Sequence, residues 1–173
     1  DGGLIINEFS ANNKIALRDQ DNDNSDWVEL YNATSIPLGL DGYYLSTRPG
    51  NLTQWQFPEV TINPKDYLVV FASGKDRTEN ELHTNFKLDS HGEYLALVAP
   101  DGQTVLSEFS PGYPPQYPDA SYGMITRTTT ETLIGPSAAS RTLVPTNNSL
   151  GTSWTDVNFA DQSWIAGTTG AGF

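Results

Sequence analysis

The chain has 173 residues, with 21 Asp and Glu against 9 Lys and Arg and a formal charge of −12. That balance argues against nucleic-acid binding and against anionic membrane surfaces, since both need clustered cations. The absence of cysteine removes disulfides, thiolate metal sites and cysteine nucleophiles together. Apolar residues reach only 37 %, yet 7 Phe, 8 Tyr and 4 Trp supply enough area for one ordinary core. With 15 Gly and 11 Pro, turns should be frequent and long helices rare. No apolar run nears the roughly 20 residues needed to span a bilayer, so membrane insertion is not expected. The chain opens Asp1-Gly2-Gly3, without methionine or a visible signal peptide, and is expected to be a mature or excised fragment.

In chain order, residues 4–9 are rich in β-branched and aromatic side chains and predict a first strand. An acidic loop follows, Asp19-Gln20-Asp21-Asn22-Asp23-Asn24-Ser25-Asp26. It runs into a strand over 27–32, with Val28 and Leu30 on one face and Trp27, Glu29 and Tyr31 on the other. Further strands are predicted over 42–47 and 54–57, the latter stopped by Pro58. Asn63-Pro64-Lys65-Asp66 forms a turn before residues 67–72, an apolar run typical of a strand buried on both faces. Residues 76–82 read either as one helical turn or as a loop. Residues 93–99 and 104–109 flank Pro100-Asp101-Gly102 as a hairpin, and 121–127 close the sheet. Eight strands with turns at this spacing predict an all-β, antiparallel β-sandwich.

Composition changes near residue 127. Thr128-Thr129-Thr130-Glu131-Thr132 is polar and linker-like, and breakers follow at Gly135-Pro136 and Pro145. Residues 1–127 therefore read as the sandwich. Residues 128–173 read as a linker plus a segment too short for a core of its own, either docked on the sandwich or the start of a following module.

Asp19, Asp21 and Asp23 have the spacing that opens an EF-hand, and Asp26 lies close by. Asn24 stands where that loop needs glycine and Leu30 where it needs the bidentate Glu, so an EF-hand is excluded. Two readings remain: an irregular calcium loop on these four carboxylates, or a solvated turn. Calcium is the single cofactor this pattern suggests. His83 and His91, the two histidines, lack metal-binding or nucleophile partners in sequence and read as loop residues beside strands. Glu8 and Glu29 could face each other on paired strands, held by hydrogen bonds or by Lys14 or Arg18, which is no evidence of a glycosidase. Tyr43, Tyr44, Trp55, Tyr113, Tyr117 and Tyr122 either close the open end of the core or stack on a ligand. Trp55, Tyr113 and Tyr117 are the contact candidates, the tyrosines because they sit in a rigid Pro-rich loop.

Five segments in register carry a resemblance: Leu4-Ile5-Ile6-Asn7-Glu8-Phe9, Asp26-Trp27-Val28-Glu29-Leu30-Tyr31-Asn32, Leu40-Asp41-Gly42-Tyr43-Tyr44-Leu45-Ser46, Tyr67-Leu68-Val69-Val70-Phe71, and Gly92-Glu93-Tyr94-Leu95-Ala96-Leu97 before Pro100-Asp101-Gly102. Together they resemble the bacterial branch of the lamin tail domain family, over roughly residues 4–127. The resemblance implies an immunoglobulin-like sandwich without catalytic apparatus. It also implies an exported multidomain parent protein, an extracellular or cell-surface location, and a protein or glycan partner. Residues 153–167 resemble the opening strands of galactose-binding-like jelly rolls. The function expected is a structural or interaction module. The alternative is a carbohydrate-binding module that holds an attached hydrolase on polysaccharide.

Overall fold

The computed structural model describes residues 3–123, 134–135 and 137–169. They fall into two compact units, Asp1–Thr126 and Arg127–Phe173. The first unit carries β1 (Leu4–Ser10), β2 (Asp26–Asn32), β3 (Leu38–Gly39), β4 (Tyr44–Ser46), β5 (Trp55–Gln56), β6 (Thr61–Ile62), β7 (Tyr67–Ala72), β8 (Leu82–His83), β9 (Leu95–Val98), β10 (Val105–Phe109) and β11 (Tyr122–Gly123). The second carries β12 (Ala139–Thr142), a 3-10 turn at Ser153–Thr155, and β13 (Ile165–Thr168). Among the described residues no helix is long and apolar enough to cross a membrane.

In the first unit a five-stranded sheet, ordered β11-β1-β2-β7-β8, and a four-stranded sheet, β10-β9-β4-β5, face one another. Every pairing is antiparallel except β7 with β8. The alternation written into the strands decides what lies between the sheets. Ile6, Phe9, Val28, Leu30 and Val70 turn inward from one sheet, and Leu45, Trp55, Leu95 and Leu97 from the other, all essentially without exposure. Burying each such side chain contributes about 1.5–3 kcal/mol. A bulge at Asn7 shifts the β1 register so that Ile6 and Phe9 both stay inside, paired with Leu30 and Val28.

Several turns are built as their residues predict. Lys65 follows Pro64 at φ 60, and Asp66 N donates to Asn63 O at 3.2 Å. Gly102, at φ 68, closes the β9–β10 hairpin, while Asp101 accepts from the amides of Gln103 and Thr104. Asn32, fully buried at the end of β2, donates to Ile62 O at 3.0 Å and accepts from Thr34 N at 2.9 Å, fastening β2 to the end of β6 and to its own following loop.

Two expectations need correction, and one pair of alternatives is decided. The strand buried on both faces is β9, not β7. A second cluster of Tyr94, Ala96 and Val98, with Tyr44, Leu52 and Val105, covers the outer side of β9. β7 is exposed at Tyr67 and buried only over its last three residues, because β8 reaches only Val70 and Phe71. Of the two readings of residues 76–82 the loop holds: Asp76 and Asn80 adopt φ of 50 and 64, outside the helical region, and the segment ends in β8. His83 is a fully buried β8 residue rather than a loop histidine. The strand expected over 121–127 is seen at Tyr122–Gly123; residues 124–127, and the linker segment 128–132, lie outside the described residues.

In the second unit β12 and β13 form an antiparallel ladder from Ala139↔Thr168 to Thr142↔Ile165. Phe159 packs on Trp164 with ring centroids 5.4 Å apart.

Candidate functional site

The acidic loop between β1 and β2 is organised from within. Asp19 Oδ1 accepts from Asp21 N at 3.0 Å and Asp23 N at 2.9 Å, and Ser25 Oγ donates to Asp19 Oδ2 at 3.1 Å. Asn22 takes φ 66 at the tip, where an asparagine costs little. This gathers the carboxylates of Asp19, Asp21 and Asp23 within 4.8 Å of one another. Asp26 is not among them.

An ammonium stands at the centre of the three. Lys75 Nζ lies 2.6 Å from Asp19, 2.7 Å from Asp21 and 3.0 Å from Asp23. Arg77 adds a second cation on Asp21 at 2.9 Å. Burial pushes the Asp19 carboxyl up, but Lys75 and the hydrogen bonds from Asp23 and Ser25 outweigh it, so the group titrates below the ordinary range. Asp21, bonded to Arg77 and Lys75, is held down to about 2. A divalent ion on these carboxylates would first have to displace Lys75.

The network continues inward to His83. Arg77 lies 2.6 Å from His83 Nε2 and Ser73 Oγ lies 2.9 Å from Nδ1. A guanidinium has donors only, so Nε2 must accept. The network therefore assigns the proton to Nδ1, which donates to Ser73 Oγ. Burial and the neighbouring Arg77 and Lys75 hold the imidazole neutral, with its pKa below the usual value. In this tautomer His83 cannot take a proton from Ser73, so the pair is a structural tie and not an activated nucleophile.

Asp26 does different work. It opens β2 and accepts from Asn13 N at 3.2 Å. Burial raises its pKa, partly offset by the Asn13 hydrogen bond and by Lys14 and Lys87. It lies where two adjoining polar cavities of about 360 and 380 Å³ meet, both lined by Lys14, Asp26 and Lys87. The larger continues past Ser90 and His91 to Glu93, whose carboxyl is also pushed up by burial. The walls are held firmly. Asp119 Oδ1 accepts from Lys14 N at 2.7 Å and Ile15 N at 2.8 Å, and Asn13 Nδ2 donates to Leu17 O at 2.6 Å and Ser25 O at 2.8 Å. Gly92, at φ 103, comes so close to Tyr113 O that a Cβ there would lie 2.3 Å from it; only glycine fits.

Two of the three aromatic contact candidates are corrected by burial. Trp55 is 3 % exposed and packs edge-on against Phe57, with centroids 4.8 Å apart. Tyr113, also 3 % exposed, lies 4.5 Å from Phe9 and donates its hydroxyl to Asp89 O at 3.0 Å. Both are core residues and neither ring can stack on a ligand. Tyr117 is 79 % exposed and remains free to do so. Glu8 and Glu29 are direct cross-strand partners, and Glu29 accepts from Asn7 Nδ2 at 2.7 Å rather than pairing with Lys14 or Arg18. Sequence reasoning missed Lys75, Arg77 and the wall at 87–93. The available signal was compositional: two cations one residue apart in a chain with only 9.

Two facing antiparallel sheets, with rigid loops gathered around a polar cleft, define an immunoglobulin-like β-sandwich. A family model described as the lamin tail domain matches residues 1–111, and the chain belongs to that family. The family is one of immunoglobulin-like, non-enzymatic domains, which places the chain among interaction-type folds. No curated protein matches the chain.

Proposed function

We propose that the chain is a non-catalytic interaction module of an exported bacterial multidomain protein, working at the cell surface or outside the cell. One observation carries this reading: the cleft beside Asp26 is walled by loops that are fixed from beneath. The side chains of Asp119, Asn13 and Tyr113 each bond the backbone of a loop: Asp119 that of Lys14, Asn13 that of Leu17 and Tyr113 that of Asp89. Loops held rigid on a sandwich pre-organise a contact surface and lower the ordering cost of binding. The acidic surface and the lack of cysteine fit such a setting without requiring it.

The test has two arms. Tagged parent protein on intact cells should be cut by added protease before lysis; protection until lysis would overturn the exported location. The purified chain, immobilised, should retain a defined partner from the envelope fraction, and retention should fall when cleft residues are changed. Retention that ignores the cleft would place the contact surface elsewhere.

A second reading is a carbohydrate-binding module that keeps an attached hydrolase on polysaccharide. The exposed ring of Tyr117 in the loop beside the cleft favours it.

A further inference from the structure

The chain has four lysines, and three of them, Lys14, Lys75 and Lys87, line one pair of adjoining cavities. In a protein of charge −12 this is a concentration of the scarcest charge. Lys75 is neutralised by the acidic loop. Among the described residues, Lys14 and Lys87 take part in no ion pair, although both face the cavity that holds Asp26.

We propose that this cleft binds a carboxylated saccharide, a uronate unit of an acidic polysaccharide, with Lys14 and Lys87 holding the carboxylate and Tyr117 flanking the ring. The proposal rests on the interaction-module reading and names its ligand class.

The lining selects this chemistry. An apolar peptide finds little purchase, since apart from Ala11 and Leu88 the walls are polar or charged, with Asn12, Ser90 and His91 among them. A free phosphate prefers guanidinium forks or several backbone amides. Here no arginine lines the cleft, and Asp26, Asp89 and Glu93 would repel a dianion. A uronate carries a single charge for the lysines and several hydroxyls, which can donate to those same carboxylates and to Ser90. Asp26 accepts a single hydrogen bond, from Asn13 N, so its carboxylate has room for a sugar hydroxyl. A cavity of about 380 Å³ is within the range of small-ligand sites.

Tyr117 is placed by its neighbours. Gln116 N donates to Ser90 O at 2.7 Å on one wall, and Asp119 N donates to Asn12 O at 2.9 Å on the other. The backbone segment 116–119 that carries the tyrosine therefore spans the two walls of the cleft, while the Tyr117 side chain stays exposed. Screening over a Debye length of about 8 Å at physiological salt limits repulsion from the rest of the acidic surface.

The test is titration calorimetry on the full chain with trigalacturonate, alginate and hyaluronate oligosaccharides. The methyl ester of trigalacturonate and inorganic phosphate serve as controls. We expect at least one uronate to bind, with its methyl ester weaker by about tenfold, as loss of a charge-assisted contact requires. Lys14→Ala, Lys87→Ala and Tyr117→Ala should each weaken that binding several-fold while leaving the melting temperature unchanged, since all three side chains are exposed. Absence of binding to every uronate overturns the proposal. So does equal binding of the methyl ester, phosphate binding of equal strength, or affinity unchanged by both lysine substitutions. If envelope partners are still retained through the cleft when the uronates fail, the saccharide is wrong and the interaction module stands. If neither ligand class engages the cleft, the saccharide is wrong and the contact surface of the module lies elsewhere.

Discussion

The two units contain similar ingredients and use them differently. In Asp1–Thr126, alternating residues from two sheets meet, and Ile6, Leu30, Leu45, Leu95 and Leu97 lose all contact with water. In Arg127–Phe173 a well-registered two-stranded ladder forms, yet none of the described residues is buried; Ile134 is 71 % exposed, Val157 95 % and Ile165 74 %. Apolar side chains are present in both. The difference is the second layer. A two-stranded ladder brings no second sheet of its own, and an isolated pair of strands is at best marginally stable. Its cavity of about 300 Å³, lined by Leu143, Pro145, Leu150, Trp154 and Trp164, is a surface without a core behind it.

The sharpest way to break this comparison is to truncate one side chain in each unit. Leu97→Ala in β9 should cost about 2–5 kcal/mol by denaturant unfolding, the range for a fully buried leucine. Trp154→Ala removes more atoms but should cost less than about 0.5 kcal/mol, as at most surface positions. Equal losses would mean that the second unit has a core after all.

Next in size is Lys75→Ala. It leaves the Asp19 carboxylate buried without its ammonium and should cost about 1–3 kcal/mol. Millimolar calcium should then raise the melting temperature of the variant more than that of the wild type, because a ligand stabilises by the ratio of its concentration to its dissociation constant. A wild-type shift as large as the variant's would make calcium, and not Lys75, the counter-ion of the loop. Tyr113→Phe, which keeps the buried ring and removes the bond to Asp89 O, should cost about 0.5–1.5 kcal/mol.

The smallest effect is a pH slope. His83 is held neutral, with its folded pKa below its unfolded one. Its contribution is complete above about pH 6.5 and is lost as pH falls toward the folded value. Asp19 and Asp21, also depressed, add losses only below about pH 4. Melting temperatures between pH 7 and 5 should therefore fall in the wild type and flatten in His83→Gln; parallel curves would remove His83 from the account.

Much of the first unit was legible because alternation is local. Val28 and Leu30 against Trp27, Glu29 and Tyr31 can be read from seven consecutive residues, and the structure keeps that division. The two-residue strands β3, β6 and β8 were not legible, since two residues carry no period. β8 also pairs in parallel, which no turn signal announces. The site was half visible. The spacing of Asp19, Asp21 and Asp23 showed that they could meet, but Asp26 belongs to a strand and turns to Asn13. Lys75 and Arg77 arrive from far along the chain. Trp55 and Tyr113 fit either the core or a ligand platform in sequence, because composition shows that a ring is present and not which way it faces.

One pairing sets a schedule for the whole first unit. β1 lies between β2 and β11, with Phe9 opposite Val28 on one side and Tyr122 on the other. The strand made first therefore waits for the strand made last, and until residue 122 has emerged one edge of β1 stands open with Ile6 and Phe9 beside it. Loop closure over that separation is slow, and folding dominated by such distant pairings runs on about the millisecond-to-second scale. During synthesis the unit is held in an incomplete, edge-exposed state, which makes β11 the clasp that ends the chain's exposure to wrong partners.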